Sequence, residues 1–489
     1  MRPPRLRAAT RSLLPAVLLA LTLAPRGGAL AAQQRAGSAR PNVVLFIADD
    51  LTATDIGPYG NRVVRTPHLD SLTRQAVRFT RAFAGSPTCT PSRGVMYTGL
   101  QPFRNGAHAN HAPTRPGTPS IVQHLEPLGY RVALAGKLHV GPREVFPFEY
   151  VPESNVPEPG HEGDGVLYTD LNVTAVDRWL AGLDRDRPFA LVVADHSPHV
   201  VWPDSAEYDP GQVDVPANHV DTPRYRAARA RYYSDVTKMD RNVGAVLASL
   251  RRRGLLERTL FVFVADQGAQ WPFAKWGLYD DGIRAPLLVR WPGVTRPGTT
   301  TDALVSLADL LPTFLAAAGA PAPAGLDGRS LAPLLRGQAA THHDAVFATH
   351  TGDREFNRTP MRMLRTARYK YILNLAPETR YSTHMDRARD HDGGREYWPS
   401  WLEASFRDEH AAAMLWRYHT RPAEELYDLH ADPHELRNLA ARPEHASRLA
   451  EFRARLATWR AAQGDTATGP EPIVAGQQGG GPPYLPPRR

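Results

Sequence analysis

Four apolar runs in this chain end in residues that can do chemistry. "NVVLFIADD" (Asn42 to Asp50) closes on Asp49 and Asp50, and "TLFVFVADQG" (Thr259 to Gly268) on Asp266 and Gln267. "YRVALAGKLHVG" (Tyr130 to Gly141) delivers Lys137 and His139, and "PFALVVADHSPH" (Pro188 to His199) delivers His196 and His199. Lys275 comes next, in "AKWGLYDDG". Clustered carboxylates repel one another unless a cation neutralises them. A donor set of oxygens and an amide selects a hard ion, Ca²⁺ or Mg²⁺. Lysines and histidines beside such an ion suit an anionic substrate whose leaving group must be protonated. A single strand ending in Asp is an ordinary turn or helix cap. Four chemically capable strand ends in one chain favour a joint reading. His68 and His124 stand apart from these ends and read as structural.

The only cysteine, Cys89, sits in "SPTCTPSR" (residues 86–93). It has no partner for a disulfide, and its polar neighbours are not those of a thiol buried for packing. "PSRGVMYTGL" reads as the first turns of a helix with Pro91 near its start. A helix N-terminus and the fixed cation of Arg93 both favour negative charge there. Such a setting could activate a thiolate, but a thiol enzyme has no need of three acidic ligands.

The elements that must carry these residues alternate. Short apolar runs, including "APLLVRWPG" (Ala285 to Gly293), read as buried parallel strands. Helical patterns lie between them, over residues 66–79 ("TPHLDSLTRQAVRF") and 232–254. The second repeats Val236, Met239, Val243, Val246, Leu247 and Leu250 at helical spacing and stops at Gly254. This alternation predicts an α/β fold with a mostly parallel sheet flanked by helices, and such sheets bind ligands beyond the carboxyl ends of their strands. The texture changes near Ala340. "YKYILNL", "EELYDLHADPHELRNLA" and "EHASRLAEFRARLATWRAAQ" predict a smaller C-terminal α+β domain closed by an amphipathic helix. The expected organisation is a catalytic domain over 41–338, a small domain over 339–464 and a disordered Gly/Pro-rich tail over 465–489.

The first 32 residues have the layout of a secretory signal peptide: basic residues, the apolar run Leu13 to Ala24, then small residues. The run is too short to span a bilayer, so no stable membrane insertion is expected. The formal net charge of +8 includes Arg2, Arg5, Arg7, Arg11 and Arg26, with no acid before residue 33; without them it is +3. That mild charge, with no basic stripe interleaved with aromatics, gives no case for a nucleic-acid partner. "LRRRG" at 250–254 reads as a solvated helix end. The expected destination is export, to a periplasm or the exterior (a lysosome only in a eukaryotic cell).

Cys89-Thr90-Pro91-Ser92-Arg93, with "YTGL" after it, resembles the signature of the type I sulfatases. "DD" at 49–50, "GKLHVG" at 136–141, "HSPH" at 196–199, "ADQG" at 265–268 and "AKWGLYDDGIRAPLLVRWPG" at 274–293 match further motifs of that family in order, and the likeness runs from about residue 41 to 460. The resemblance implies an alkaline-phosphatase-like fold. It also implies that a formylglycine-generating enzyme oxidises Cys89 to Cα-formylglycine. A hydrated aldehyde carries two hydroxyls on one carbon: one attacks sulfur, and the other loses its proton and expels sulfate. A thiol would instead leave an adduct with no easy exit.

By the same resemblance, Asp49, Asp50, Asp266 and Gln267 would hold Ca²⁺ together with an oxygen of residue 89. Arg93 would fix the aldehyde hydrate, Lys137 and His139 would bind it and drive its collapse, and His199 and Lys275 would bind sulfate and assist the leaving group. Gln267 departs from the Asn or His of many relatives, but an amide oxygen still ligates. His196, His111, Asp353 and Arg354 are expected to meet a sulfated oligosaccharide. "TPHLDSL", "GKLHVGPREVFPFEY" and "TPMRMLRTARYKYILNL" resemble the branch of the family that removes N-sulfate from glucosamine in heparan fragments. The alternatives are an O-sulfatase on another sugar or aryl ester, a formylglycine-dependent phosphodiesterase, and a non-catalytic calcium-binding module; the Cys89/Arg93 pair argues against the last.

Overall fold

The computed structural model describes residues 40–157, 168–353, 357–387 and 396–473. The expected signal peptide lies outside them, and the chain from Pro41 onward forms one unit. Its large sheet comprises β1 (Asn42–Ala48), β2 (Val77–Phe83), β3 (Arg131–Gly136), β4 (Glu149–Tyr150), β7 (Phe189–Ala194), β8 (Thr259–Ala265), β9 (Arg284–Arg290), β10 (Thr299–Thr301) and β11 (Val305–Ser306). The order is β10-β2-β9-β8-β1-β7-β3-β4, with β11 also paired to β2. A separate hairpin joins β5 (Asn155–Pro157) to β6 (Thr169–Leu171). The central strands β1, β7 and β8 are buried at every residue, which is why they read as continuous apolar runs rather than alternating ones.

Two expectations are corrected here. The helical pattern over 66–79 is helix only as α1 (Pro67–Thr73); from Val77 the chain is strand. Val77 and Phe79 are buried and Arg78 and Thr80 are not, and pairing with β9 and β10 on both sides overrides the local helical spacing. "APLLVRWPG" does form β9, but antiparallel to both β8 and β2. An antiparallel return needs no crossover to the far end of the sheet. The whole connection from Asp266 to Ile283 therefore stays at the carboxyl end of β8, which keeps Lys275 beside the other strand ends.

Two further helices matter for the site: α2 (Cys89–Thr98), and α3 (Pro223–Arg252), capped by Thr222 and carrying the predicted apolar face. The C-terminal region forms the antiparallel sheet β12 (Val346–His350), β13 (Met361–Arg365), β14 (Tyr369–Asn374) and β15 (Glu424–Asp428). Helices α4 (Trp398–Ser405) and α5 (Glu409–His419) precede β15, and α6 (Ala446–Gln463) comes after it. Leu449, Phe452 and Leu456 of α6 pack on Leu364, Tyr371 and Leu426. Val346, Met361, Met363 and Ile372 instead join the core of the large sheet, so the small domain is fused to the catalytic one. Buried ion pairs bind the same seam: Asp280 meets Arg365 at 3.0 Å and Lys370 at 2.5 Å, and Lys370 Nζ donates to the Leu278 carbonyl at 3.1 Å. These contacts anchor the loop that carries Lys275.

The expected disordered tail is also corrected at its start. Asp465 is buried, and Arg362 donates to it twice, from Nε at 2.6 Å and from Nη2 at 3.0 Å, while Glu471 meets the same guanidinium at 3.2 Å. Order therefore continues past Gln463; residues 474–489 lie outside the described ones. No helix among the described residues is long and apolar enough to cross a membrane.

Candidate active site at the carboxyl ends of four adjacent strands

Strands β8, β1, β7 and β3 are neighbours in that order, and they end within one residue of one another: Ala48 pairs with Ala265 and Ala194 with Gly136, while Ile47 rather than Ala48 stands opposite Ala194. The residues just beyond the four strands therefore emerge side by side: Asp49–Asp50, Asp266–Gln267, Asp195–His196 and Lys137. Consecutive residues of a strand point to opposite faces. Asp50 leaves the extended conformation, with φ of 61°, and both carboxylates then reach one point: Asp49 Oδ1 is 3.6 Å and Asp50 Oδ1 3.8 Å from Cys89 Sγ.

Cys89 opens α2 and is buried, as is Arg93 one turn later. Arg93 ties three elements together. Its Nε donates to Asp266 Oδ2 at 2.9 Å, its Nη1 to the Lys137 carbonyl at 3.0 Å, and its Nη2 lies 3.3 Å from Asp49 Oδ1. Ser92 Oγ donates to the Asp266 carbonyl at 2.5 Å. The thiol of Cys89 is pushed up by burial, against the pull of Lys137 and Lys275. It stays protonated at neutral pH and is a poor nucleophile in that form.

Each carboxylate has its own cation. Lys137 pairs with Asp49, and Lys275 Nζ is 2.7 Å from Asp50 Oδ2. Burial opposes the charge on Asp49, yet Lys137, His199 and Arg93 hold it well below the usual range. Asp266 goes the other way: burial and the nearby Asp49 charge raise it to about 7 despite Arg93. Gln267 Nε2 donates to Asp50 Oδ1 at 2.5 Å and lies 3.1 Å from Cys89 Sγ, which leaves Gln267 Oε1 buried without a hydrogen bond. A crowded carboxylate set with one amide oxygen to spare fits a hard divalent cation, Ca²⁺ or Mg²⁺.

Lys275 Nζ also donates to His199 Nε2 at 3.2 Å, and His199 Nδ1 bonds the Val200 carbonyl. Burial and the two lysines lower His199 to about 3, so in this arrangement the proton sits on Lys275. His139 is buried, with its pKa lowered well below the usual value by burial and then by Lys137. Its ring lies 4.8 Å from that of His111, whose Nδ1 is 2.9 Å from Asp353 Oδ1. His196 is half-buried: its Nε2 bonds Asn155 Oδ1 at 2.9 Å, and Asn155 in turn donates to the Gly136 carbonyl, so this histidine also braces the end of β3. Arg354 lies outside the described residues.

Several contributors escaped the sequence reading. Asn110 accepts from the Thr90 amide at 3.2 Å and donates to Asp353 Oδ2 at 3.2 Å, linking the residue after Cys89 to the C-terminal region. Trp276 lies 5.2 Å from Lys275 Nζ and 5.1 Å from the ring of His384, whose Nδ1 is 3.1 Å from Asn357 Nδ2. Only the adjacency of Asn110 to His111, and of Trp276 to Lys275, could have drawn attention to them. The arrangement combines a cation-binding corner, a residue at a helix start, and a rim of Lys and His groups suited to a tetrahedral anion.

A family profile described as Sulfatase matches residues 41–320, and one described as N-sulphoglucosamine sulphohydrolase, C-terminal, matches 268–393. The chain is 32% identical over 439 residues to an ulvan-active sulfatase of Formosa agariphila, covering 88% of this chain and 81% of that one. It is 32% identical over 472 residues to the N-sulphoglucosamine sulphohydrolase of Homo sapiens, covering 86% and 90%. A solved structure in complex with its substrate D-glucosamine-2-N,6-O-disulfate superimposes with a TM-score of 0.65 at 19% identity over 88% of this chain and 99% of that one; at that identity the likeness concerns the fold. Sequence motifs, strand-end geometry and profile matches agree along the catalytic domain: the chain belongs to the sulfatase family.

Proposed function

We propose that this sulfatase acts on sulfated glycans after export and removes the N-sulfate from a terminal, non-reducing glucosamine of heparan-type fragments. The observation that carries the choice of substrate is the second profile match. It spans 268–393, the stretch that contains Lys275, Asp353, Asn357 and His384 around the mouth of the site. A pocket whose walls are Lys137, His139, His199 and Lys275 takes one sulfate at a time, which favours chain ends over internal positions.

Residue 89, matured to Cα-formylglycine by a separate enzyme, supplies geminal hydroxyls, one to attack sulfur and one to expel sulfate. Asp49, Asp50, Asp266 and Gln267 would hold Ca²⁺, which supplies Lewis-acid polarisation of the sulfate. The chain's own groups do the rest. Arg93 orients the start of α2 through Asp266 and the Lys137 carbonyl. Lys137, as an ammonium paired with Asp49, donates to a hydroxyl oxygen of residue 89 and holds it in place, and the neutral imidazole of His139 takes up the hydroxyl proton. Lys275, bonded to His199, binds a sulfate oxygen and protonates the nitrogen as the N–S bond breaks, so the amine departs neutral. His111 and Asp353 face the sugar.

The test compares glucosamine N-sulfate with glucosamine 6-O-sulfate at equal concentration, scored as released sulfate. Faster N-desulfation is expected. A preference for the 6-O-sulfate would move the enzyme to the second reading, an O-sulfatase, which the similarity to an ulvan-active sulfatase favours.

A further inference from the structure

A concave groove on the C-terminal region, about 600 Å³ in volume, lies between the 377–380 segment and helices α4 and α5. Trp416 on α5 is 72% exposed and Leu402 on α4 is 42% exposed, next to Ser405, Thr379, Arg380 and one carboxylate, Glu378. An exposed indole offers a flat apolar face with one polar edge. Isolated exposed apolar residues need no explanation, whereas a cluster rimmed by polar groups marks a contact site.

The chemistry of the rim narrows the occupant. Arg380 Nη2 donates to His419 Nε2 at 2.9 Å, and His419 Nδ1 bonds the Tyr381 carbonyl at 2.8 Å. His419 is thereby held as an acceptor at Nε2, which leaves the other N–H groups of Arg380 for an external anion. The same segment runs towards the active site. Four residues after Arg380, His384 stands against Trp276 and beside Asn357 at the mouth of the pocket. Four residues of chain span at most about 14 Å.

We propose that this groove is a remote glycan subsite, in which a pyranose ring stacks on Trp416 and a sulfate or carboxylate of the same chain pairs with Arg380. A glycan whose terminal sulfate occupies the pocket would continue past His384 into the groove. The proposal rests on the reading of the substrate as a sulfated glycan, not on which sulfate is removed.

The experiment uses the full-length, matured enzyme and its Trp416→Ala and Arg380→Ala variants. Whichever sulfated monosaccharide the wild type hydrolyses serves as the short substrate, and an oligosaccharide of eight or so units ending in that same sugar serves as the long one. Both variants are expected to leave kcat/KM for the monosaccharide within about twofold and to lower it roughly tenfold for the oligosaccharide, mainly through KM. An unchanged ratio of long to short substrate in both variants would overturn the subsite. So would a shift of Trp416→Ala to a smaller species in size-exclusion chromatography at unchanged ratio, which assigns the groove to a contact between copies of the chain. The choice of substrate is judged separately, by which monosaccharide the wild type turns over.

Discussion

Arg93 donates from Nε to Asp266 Oδ2 at 2.9 Å, and neither side chain reaches solvent. This pair joins the helix that begins at residue 89 to the end of β8. The Nη1 contact with the Lys137 carbonyl adds the end of β3, so one guanidinium sets the spacing of the nucleophile position against two strand ends. Breaking a buried pair on one side leaves an uncompensated charge and costs about 3–5 kcal/mol. Arg93→Met is therefore expected to lower unfolding free energy by about that amount in denaturant titrations and to abolish sulfate release. Arg93→Lys should recover part of the stability and little of the turnover, because an ammonium cannot reproduce the planar fork.

Cys89 is expected to be Cα-formylglycine in protein from a host with the maturation enzyme, visible by peptide mass and hydrazide labelling. Cys89→Ala should lose essentially all turnover and Cys89→Ser most of it. Full activity in Cys89→Ala would remove residue 89 from the chemistry altogether.

Divalent metal content should track the donor set. Asp50→Asn and Gln267→Ala are each expected to lower bound Ca²⁺ by elemental analysis, with activity falling in parallel and recovering partly at high added Ca²⁺. The buried, unpaired Gln267 Oε1 makes Gln267→Ala the sharper test. An active wild-type enzyme free of divalent ion would show the corner to be organised by Lys137 and Lys275 alone.

Asp465 offers a test by pH. Burial would raise its carboxyl, but hydrogen bonds from Arg362 and Arg460 hold it below the usual value. A carboxylate depressed in the folded state adds stability above its unfolded pKa and loses it as pH falls through the folded one. Asp465→Asn should cost about 3 kcal/mol at pH 7, and the gap to wild type should close below about pH 4. A pH-independent difference would mean that packing, not charge, secures this segment.

Much of the site was legible in the sequence because its parts lie where local rules are strong. Apolar runs with no alternation mark buried strands, and polar residues at their carboxyl ends mark a ligand site in any open α/β sheet. Asp49, Asp50, Lys137 and Asp266 were found that way, and the Cys89–Arg93 stretch by its likeness to a family. Local pattern did not determine direction or partnership. Residues 77–79 continue a helical spacing, yet they are strand because β9 and β10 supply hydrogen bonds on either side. β9 carries the same apolar signature as its parallel neighbours and runs opposite to them, since direction depends on which end of the sheet the preceding loop occupies. Asn110 and Asp353, 243 residues apart, meet only because the C-terminal sheet shares its core with the catalytic one. Asp465 belongs to a stretch whose composition reads as tail, and the guanidinium groups of Arg362 and Arg460 keep it packed. Residue types at the ends of apolar runs, with the likeness of the Cys89–Arg93 stretch to a family, were enough to suggest the chemistry, but the strand order and the long-range pairings that aim those side chains at one point exist only in the folded chain.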